Sequence, residues 1–150
     1  DGIFSALRYL QDKKYDLFVA TNQSGVARGY YNENDVNKLH TFLKEKFKSE
    51  GIFIGGFLYC PHHLDASIDR YRKNCYWRKP MPGMIEAILR IKNYERKKSF
   101  LIGDKDTDVN AAERAGLKGF KFVSDNIFEF IKYIISSLEN STSGDRNEIH

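Results

Sequence analysis

The sequence predicts an α/β fold, a mainly parallel sheet flanked by helices, and three observations predict it. Amphipathic helical stretches alternate with short apolar runs along the chain, the pattern of strands joined by helical crossovers. Two of those runs, Leu17-Phe18-Val19-Ala20 and Ser99-Phe100-Leu101-Ile102, pass directly into the polar segments Thr21-Asn22-Gln23-Ser24-Gly25 and Gly103-Asp104-Lys105-Asp106-Thr107-Asp108. Sites in open α/β sheets lie outside the carboxyl ends of parallel strands. The chain has 150 residues, 41% of them hydrophobic, which suffices for one compact core.

Each element has its own warrant. Ile3, Leu7 and Leu10, with Phe4 and Ala6 beside them, make residues 3–13 an amphipathic helix. A strand follows at 16–20, then a loop over 21–33 containing Gly25 and Gly29. Asn32 or Asn34 caps the next helix, with Asp35 in its first turn. Val36, Leu39, Leu43 and Phe47 form its buried stripe, and Gly51 ends it. A second β-like run, Ile52 to Tyr59, leads into Cys60-Pro61-His62-His63. Residues 60–82 lack periodicity, and loops of that length in a compact domain are usually functional, disordered or metal-stapled. Pro82 opens a helix whose buried side is Met84, Ile85, Ile88, Leu89 and Ile91. The strand at 99–102, a helix from about 106 to 115 closed by Gly116, a strand at 119–123 and a helix from Ile127 to Leu138 complete the domain. Residues 139–150 are polar and read as a solvated tail. Four strands are few for such a sheet, and the chain opens on Asp1-Gly2 directly before a helix, so a strand is expected to precede Asp1.

Composition narrows the function. A net charge of +4 suits an anionic substrate, and no block of Lys and Arg is dense enough to predict nucleic-acid binding. No apolar run approaches the roughly 18 residues that span a bilayer. The N-terminus lacks the basic-then-apolar pattern of a secretory leader. With two cysteines, a cytoplasmic monomer acting on a small molecule is expected.

Four constellations carry chemistry. In Thr21 to Gly25, a hydroxyl, side-chain amides and backbone N–H groups can surround phosphate oxygens; an ordinary β-to-α turn reads equally well. Asp104 sits at a strand end where magnesium, which prefers hard oxygen ligands, can bind. Asp108, one helical turn on, is a ligand or a partner behind the ligand, and Asp106 suits a helix N-terminus without further role. Arg78-Lys79-Pro80 offers a guanidinium for phosphate and an amine for charge developing on a transferring phosphoryl group, or a plain surface basic pair. Cys60, His62 and Cys75 are zinc-type donors. A closed structural zinc site needs four, and His63 is a candidate fourth; two free thiols and an exposed histidine are the alternative.

Taken together these segments resemble the haloacid-dehalogenase-like (HAD-like) phosphatase superfamily, whose fold is Rossmann-like. They are most similar to its D-glycero-D-manno-heptose 1,7-bisphosphate phosphatases and their histidinol-phosphatase relatives. The residues carrying the likeness are Thr-Asn-Gln-Ser-Gly-Val-Ala-Arg-Gly at 21–29, Tyr-Cys-Pro-His-His at 59–63, Cys75, Arg-Lys-Pro-x-Pro-Gly-Met at 78–84 and Gly-Asp-Lys-x-x-Asp at 103–108, with Ala111-Ala112 and Ala115-Gly116 after them. The likeness covers nearly all of residues 1–125. It implies that Thr21 contacts the phosphoryl group, with Asn22, Gln23 and Ser24 near the substrate. It implies that Lys79 stabilises phosphoryl charge, that Arg78 recognises the sugar phosphate, that Asp104 ligates magnesium and that Lys105 lies beside the substrate. Cys60, His62 and Cys75 match three members of the family's zinc loop. The fourth, a cysteine two residues after the third, is Trp77 here, which leaves zinc weak, completed by His63 or water, or absent. The family's reaction also needs a first strand ending in Asp-x-Asp, whose first aspartate forms an aspartyl-phosphate and whose second is general acid and base. Asp1-Gly2 aligns with the dipeptide opening the following helix, and Asp16 precedes a strand instead of ending one. The resemblance implies hydrolysis of a heptose bisphosphate or similar sugar phosphate. Histidinol phosphate, a nucleotide, or a non-catalytic role for a degenerate phosphatase fold are the alternatives.

Overall fold

The computed structural model describes residues 2–123 and 125–147. Its elements are α1 (Ile3–Asp12), β1 (Leu17–Asn22), α2 (Ser24–Ala27), α3 (Glu33–Ser49), β2 (Ile54–Cys60), α4 (Gly83–Ile91), β3 (Phe100–Gly103), α5 (Asp106–Arg114), β4 (Lys118–Lys121) and α6 (Ile127–Asn147). Short 3₁₀ turns occupy Asp69–Tyr71 and Arg96–Lys98.

All strand pairing is parallel. β1 pairs β2 with Thr21 opposite Tyr59 and Asn22 opposite Cys60. β3 pairs β4 with Gly103 opposite Lys121. The two ladders are separate: among the described residues no β-ladder joins β1 to β3. Side chains from both ladders nevertheless share one core. Alternation along β3 sends Phe100 and Ile102 to a cluster with Ala6, Leu10, Leu17, Ile52, Ile54, Ile131 and Ile135, and sends Leu101 to a cluster on α4 and α5. Tyr15, just before β1, meets the edge of Phe100 with ring centroids 5.4 Å apart. Helices α1 and α6 therefore cover one face and α4 and α5 the other, which leaves the carboxyl ends of the strands open for a site.

Several expectations shift in register. β1 begins at Leu17 and runs on to Asn22, two residues past the expected end, so Thr21 and Asn22 are strand residues held in the ladder. Ser24–Ala27 form one helical turn inside the expected loop. Asn32 is the cap of α3: its side chain accepts from the Asp35 N–H while the Asp35 carboxylate accepts from the Asn32 N–H. Leu39 is half exposed, and the buried position beside Val36 is His40. The spacing 36-40-43-47 is as helical as the one expected, and the imidazole stacks on Phe57 at 4.8 Å, so its apolar faces are covered. Ile3 and Ile91 are exposed as well, each the terminal residue of its helix. β4 spans 118–121, one or two residues before the expected run. The last helix continues past Leu138 to Asn147, because polar residues propagate an established helix at little cost; of the expected tail, 148–150 lie outside the described residues. Asp1 lies outside them too.

Burial holds the His40 imidazole below its ordinary pKa, since the charged form loses hydration. The unfolded chain protonates this group near pH 6.5, so it binds more protons than the folded state just below that pH. Stability is thus full above about pH 6.5 and falls as pH drops toward the folded-state value. Urea midpoints at pH 7.5 and 5.5 are expected to differ less in His40→Phe than in the parent protein; an equal drop in both contradicts this assignment.

Candidate active site

Lys79 is the centre of the cluster at the strand ends. Its backbone is gripped by the Asn22 side chain, which accepts from the Lys79 N–H and donates to the Lys79 carbonyl, both at 3.0 Å. Its amine donates to the Ala20 carbonyl at 2.8 Å and pairs with Asp108 Oδ1 at 2.5 Å. Both partners of that pair are nearly buried, with side-chain exposures of 11% and 8%. The other Asp108 oxygen accepts from the Lys105 N–H at 3.1 Å. Burial pushes the Asp108 carboxyl toward its neutral form. The Lys79 hydrogen bond and charge, the Lys105 N–H and Asp104 together outweigh this and hold it below the ordinary carboxylate range. Gly103 makes room for the arrangement, because a Cβ there would overlap the Asp108 side chain.

A second chain of bonds fixes Thr21. Its hydroxyl donates to the Asn22 carbonyl at 3.3 Å and accepts from the Gln23 side-chain amide at 3.2 Å. Tyr31 donates to the Gln23 side-chain oxygen Oε1 at 2.6 Å, and its ring fills the space where a Gly25 Cβ would stand. Ser24 opens the helical turn α2. Tyr31 escaped the sequence reading because an aromatic residue in a polar loop carries no periodic signal.

The expected residues divide into two groups. Thr21, Asn22, Gln23, Lys79 and Asp108 are connected by the bonds above. Asp104, Lys105 and Asp106 are exposed at the start of α5, with Asp106 ion-paired to Lys121 at 3.1 Å. Asp108 keeps both oxygens on Lys79 and Lys105, whereas Asp104 presents its carboxylate to solvent beside it. Arg78 donates to the His62 carbonyl at 3.5 Å, which ties the basic pair to the 60–82 loop. Asp16 lies at the far end of β1, bound by Tyr94 and Lys92. A cavity of about 520 Å³ also opens at that far end, around Asp16, Phe18, Phe53 and Tyr94, remote from this chemistry.

Cys60, His62 and Cys75 bring their ligand atoms within 4.8 Å of one another, with Cys60 Sγ 3.8 Å from His62 Nδ1. Burial pushes the Cys60 thiol up to about 12 and the His62 imidazole down. His63 does not join: its Nδ1 accepts from the Asp65 N–H at 2.9 Å. Two thiols and an imidazole are a donor set that fits zinc, three of the four groups of a closed site.

The Lys79–Asp108 pair generates a stability prediction. Lys79→Met leaves a buried carboxylate without its cation and is expected to cost about 3 kcal/mol. Lys79→Met with Asp108→Leu removes both charges and should recover most of that loss. Additive losses in the double variant, measured by urea unfolding, contradict the coupling.

Comparison with known proteins gives a consistent family. Residues 76–125 match the HAD-hydrolase-like family model. Over 140 residues the chain is 39% identical to a D-glycero-beta-D-manno-heptose-1,7-bisphosphate 7-phosphatase of Rhodopseudomonas palustris, covering 93% of this chain and 78% of the relative. Over 111 residues it is 40% identical to a D-glycero-alpha-D-manno-heptose-1,7-bisphosphate 7-phosphatase of Photorhabdus laumondii, covering 74% of this chain and 61% of that relative. The fold superposes on a HAD-like phosphatase of Mesorhizobium loti with a TM-score of 0.79 at 25% identity, over 91% of this chain and 73% of the other. It also superposes on the D,D-heptose 1,7-bisphosphate phosphatase of B. bronchiseptica, solved with magnesium and phosphate, with a TM-score of 0.76 at 23% identity, over 91% of this chain and 83% of that chain. With the Thr21, Lys79 and Asp108 cluster at its strand ends, this chain belongs to the HAD-like phosphatase family, in the branch that holds the heptose-bisphosphate phosphatases.

Proposed function

We propose that this chain forms the phosphoryl-binding domain of a magnesium-dependent phosphatase that removes the 7-phosphate of D-glycero-D-manno-heptose 1,7-bisphosphate. The relatives named for that substrate support the choice of sugar. The observation that carries the chemistry is the Lys79 amine, held between the Asp108 carboxylate and the Ala20 carbonyl of the strand that carries Thr21. A fixed cation and hydroxyl at a strand end stabilise charge developing on a transferring phosphoryl group. Arg78 and Lys105 add cationic charge for the substrate, and Asn22, Gln23 and Ser24 shape the loop around it.

Asp104 fits magnesium as a hard oxygen donor exposed at the end of β3. Bound there with substrate phosphate oxygens, the ion supplies charge neutralisation. The bonds from Asp108 to the Lys79 amine and to the Lys105 N–H support a role behind the metal ligand, acting through Lys79. The attacking carboxylate belongs to an Asp-x-Asp strand. The separation of the two parallel ladders supports its position between β1 and β3. Uncatalysed hydrolysis of phosphate monoesters is extremely slow, so the carboxylates decide the rate. Cys60, His62 and Cys75 would hold a zinc ion that staples the 60–82 loop. The two cysteines are free, and among the described residues no helix is long and apolar enough to cross a membrane. We read the protein as a cytoplasmic monomer.

Two predictions follow from these assignments. The 150-residue chain alone is expected to release little phosphate from the heptose bisphosphate with magnesium, while a version extended by an Asp-x-Asp strand turns over. Robust activity of the short chain contradicts the missing-carboxylate reading, and a preference of the extended version for histidinol phosphate or a nucleotide contradicts the sugar. Metal analysis after zinc loading should give one zinc per chain, abolished by Cys75→Ala. Unchanged stoichiometry in that variant excludes the cluster.

A further inference from the structure

A cleft of about 490 Å³ lies outside the phosphoryl corner and is lined by Glu33, Phe57, Tyr59, His62, Tyr71 and Trp77, among others. Its floor is prepared. Tyr59 donates to Glu33 Oε1 at 2.9 Å and Tyr71 donates to Oε2 at 2.7 Å. The two phenols, Tyr71 first, keep the carboxyl below its ordinary range, so it is ionised. A carboxylate has about four lone-pair sites, and the phenols take one on each oxygen. The remaining pair forms a two-pronged acceptor whose geometry is fixed before any ligand arrives, which lowers the cost of ordering on binding.

The position links this cleft to the phosphoryl corner. Tyr59 is the ladder partner of Thr21, one strand spacing away, and parallel partners point to the same face. Trp77 precedes Lys79 by two residues and is 38% exposed, an amphipathic wall available to a ligand. The charge on Glu33 disfavours a second phosphate in this cleft. Arg70 stands 4.9 Å from the Tyr71 ring centroid and contributes less than the two phenols to holding the Glu33 carboxyl low. The free lone pairs of Glu33 suit O–H donors, and hydroxyls on adjacent carbons match the two prongs.

The geometry points to a polyol subsite in this cleft, where adjacent hydroxyls of the substrate's carbon chain donate to the Glu33 carboxylate against the face of Trp77. The identity of the polyol as a sugar rests on the sugar-phosphate reading above; the cleft and its acceptor do not.

Trp77 is the single tryptophan of the chain and reports on the cleft directly. The experiment titrates the 150-residue protein with phosphate-free D-glycero-D-manno-heptose, with choline, and with inorganic phosphate plus magnesium. Trp77 emission follows the first two and phosphorus NMR the third. The free heptose is expected to change the emission saturably and choline to leave it unchanged over the same range. Glu33→Gln is expected to raise the dissociation constant for heptose at least fivefold, with folding checked by circular dichroism. No saturable response to heptose in the parent protein overturns the subsite, as does saturation by choline alone or an unchanged constant in folded Glu33→Gln. Phosphate that binds while heptose does not removes the subsite and leaves the phosphoryl corner standing. Heptose that binds while phosphate does not supports the subsite and removes the phosphoryl reading.

Discussion

The Lys79 amine spans a gap that no β-ladder closes among the described residues. It donates to the last-but-two residue of β1 and pairs with a carboxylate on α5, the helix that follows β3. The two parallel ladders meet elsewhere through apolar and edge-to-face aromatic packing. At the strand ends a buried, hydrogen-bonded ion pair joins them, and either partner left alone in that environment is strongly disfavoured. The site's precision therefore lies in a pair of charges, and the fold's stability lies in the layers on either side.

Everything nearby is arranged to keep that pair in place. Asn22 clamps the lysine backbone, so the amine starts from a fixed point. Gly103 gives Asp108 the space to approach, and the Lys105 N–H holds its second oxygen. Tyr31 and Gln23 orient the Thr21 hydroxyl on the adjoining strand end. Functional groups supported by a second layer of hydrogen bonds lose little freedom when a ligand arrives, which is the condition for electrostatic catalysis. Arg78, bonded to the His62 carbonyl, connects the corner to the Cys60, His62 and Cys75 cluster.

Much of this was legible in the sequence because it is written in short-range pattern. Apolar runs that stop at Thr21 and at Gly103-Asp104 announce strand ends, and Asn32 with Asp35 announces a helix start. Long-range pairing was not legible. Asp108 read equally well as a metal ligand or as a partner behind the ligand, and only the fold shows one of its oxygens on Lys79 and the other on the Lys105 N–H. Leu39 was expected in the buried stripe of α3 because it is apolar, yet His40 takes the buried place, with its ring stacked on Phe57 and against Tyr59. Tyr31 and Glu33 gave no signal, since each acts through partners that the chain brings back from eight to thirty-eight residues away. His63 illustrates the converse: its donor type made it a candidate fourth ligand, but a turn of its own claims the ring nitrogen.

The most direct test observes the Lys79 amine itself. With ¹⁵N-labelled lysine, the Lys79 Nζ resonance is assigned by its loss in Lys79→Met and followed as inorganic phosphate is added with magnesium. A phosphoryl ligand held at this corner shifts that resonance in step with phosphate saturation. A resonance that stays still while phosphate binds would place the anion elsewhere and contradict the role of Lys79.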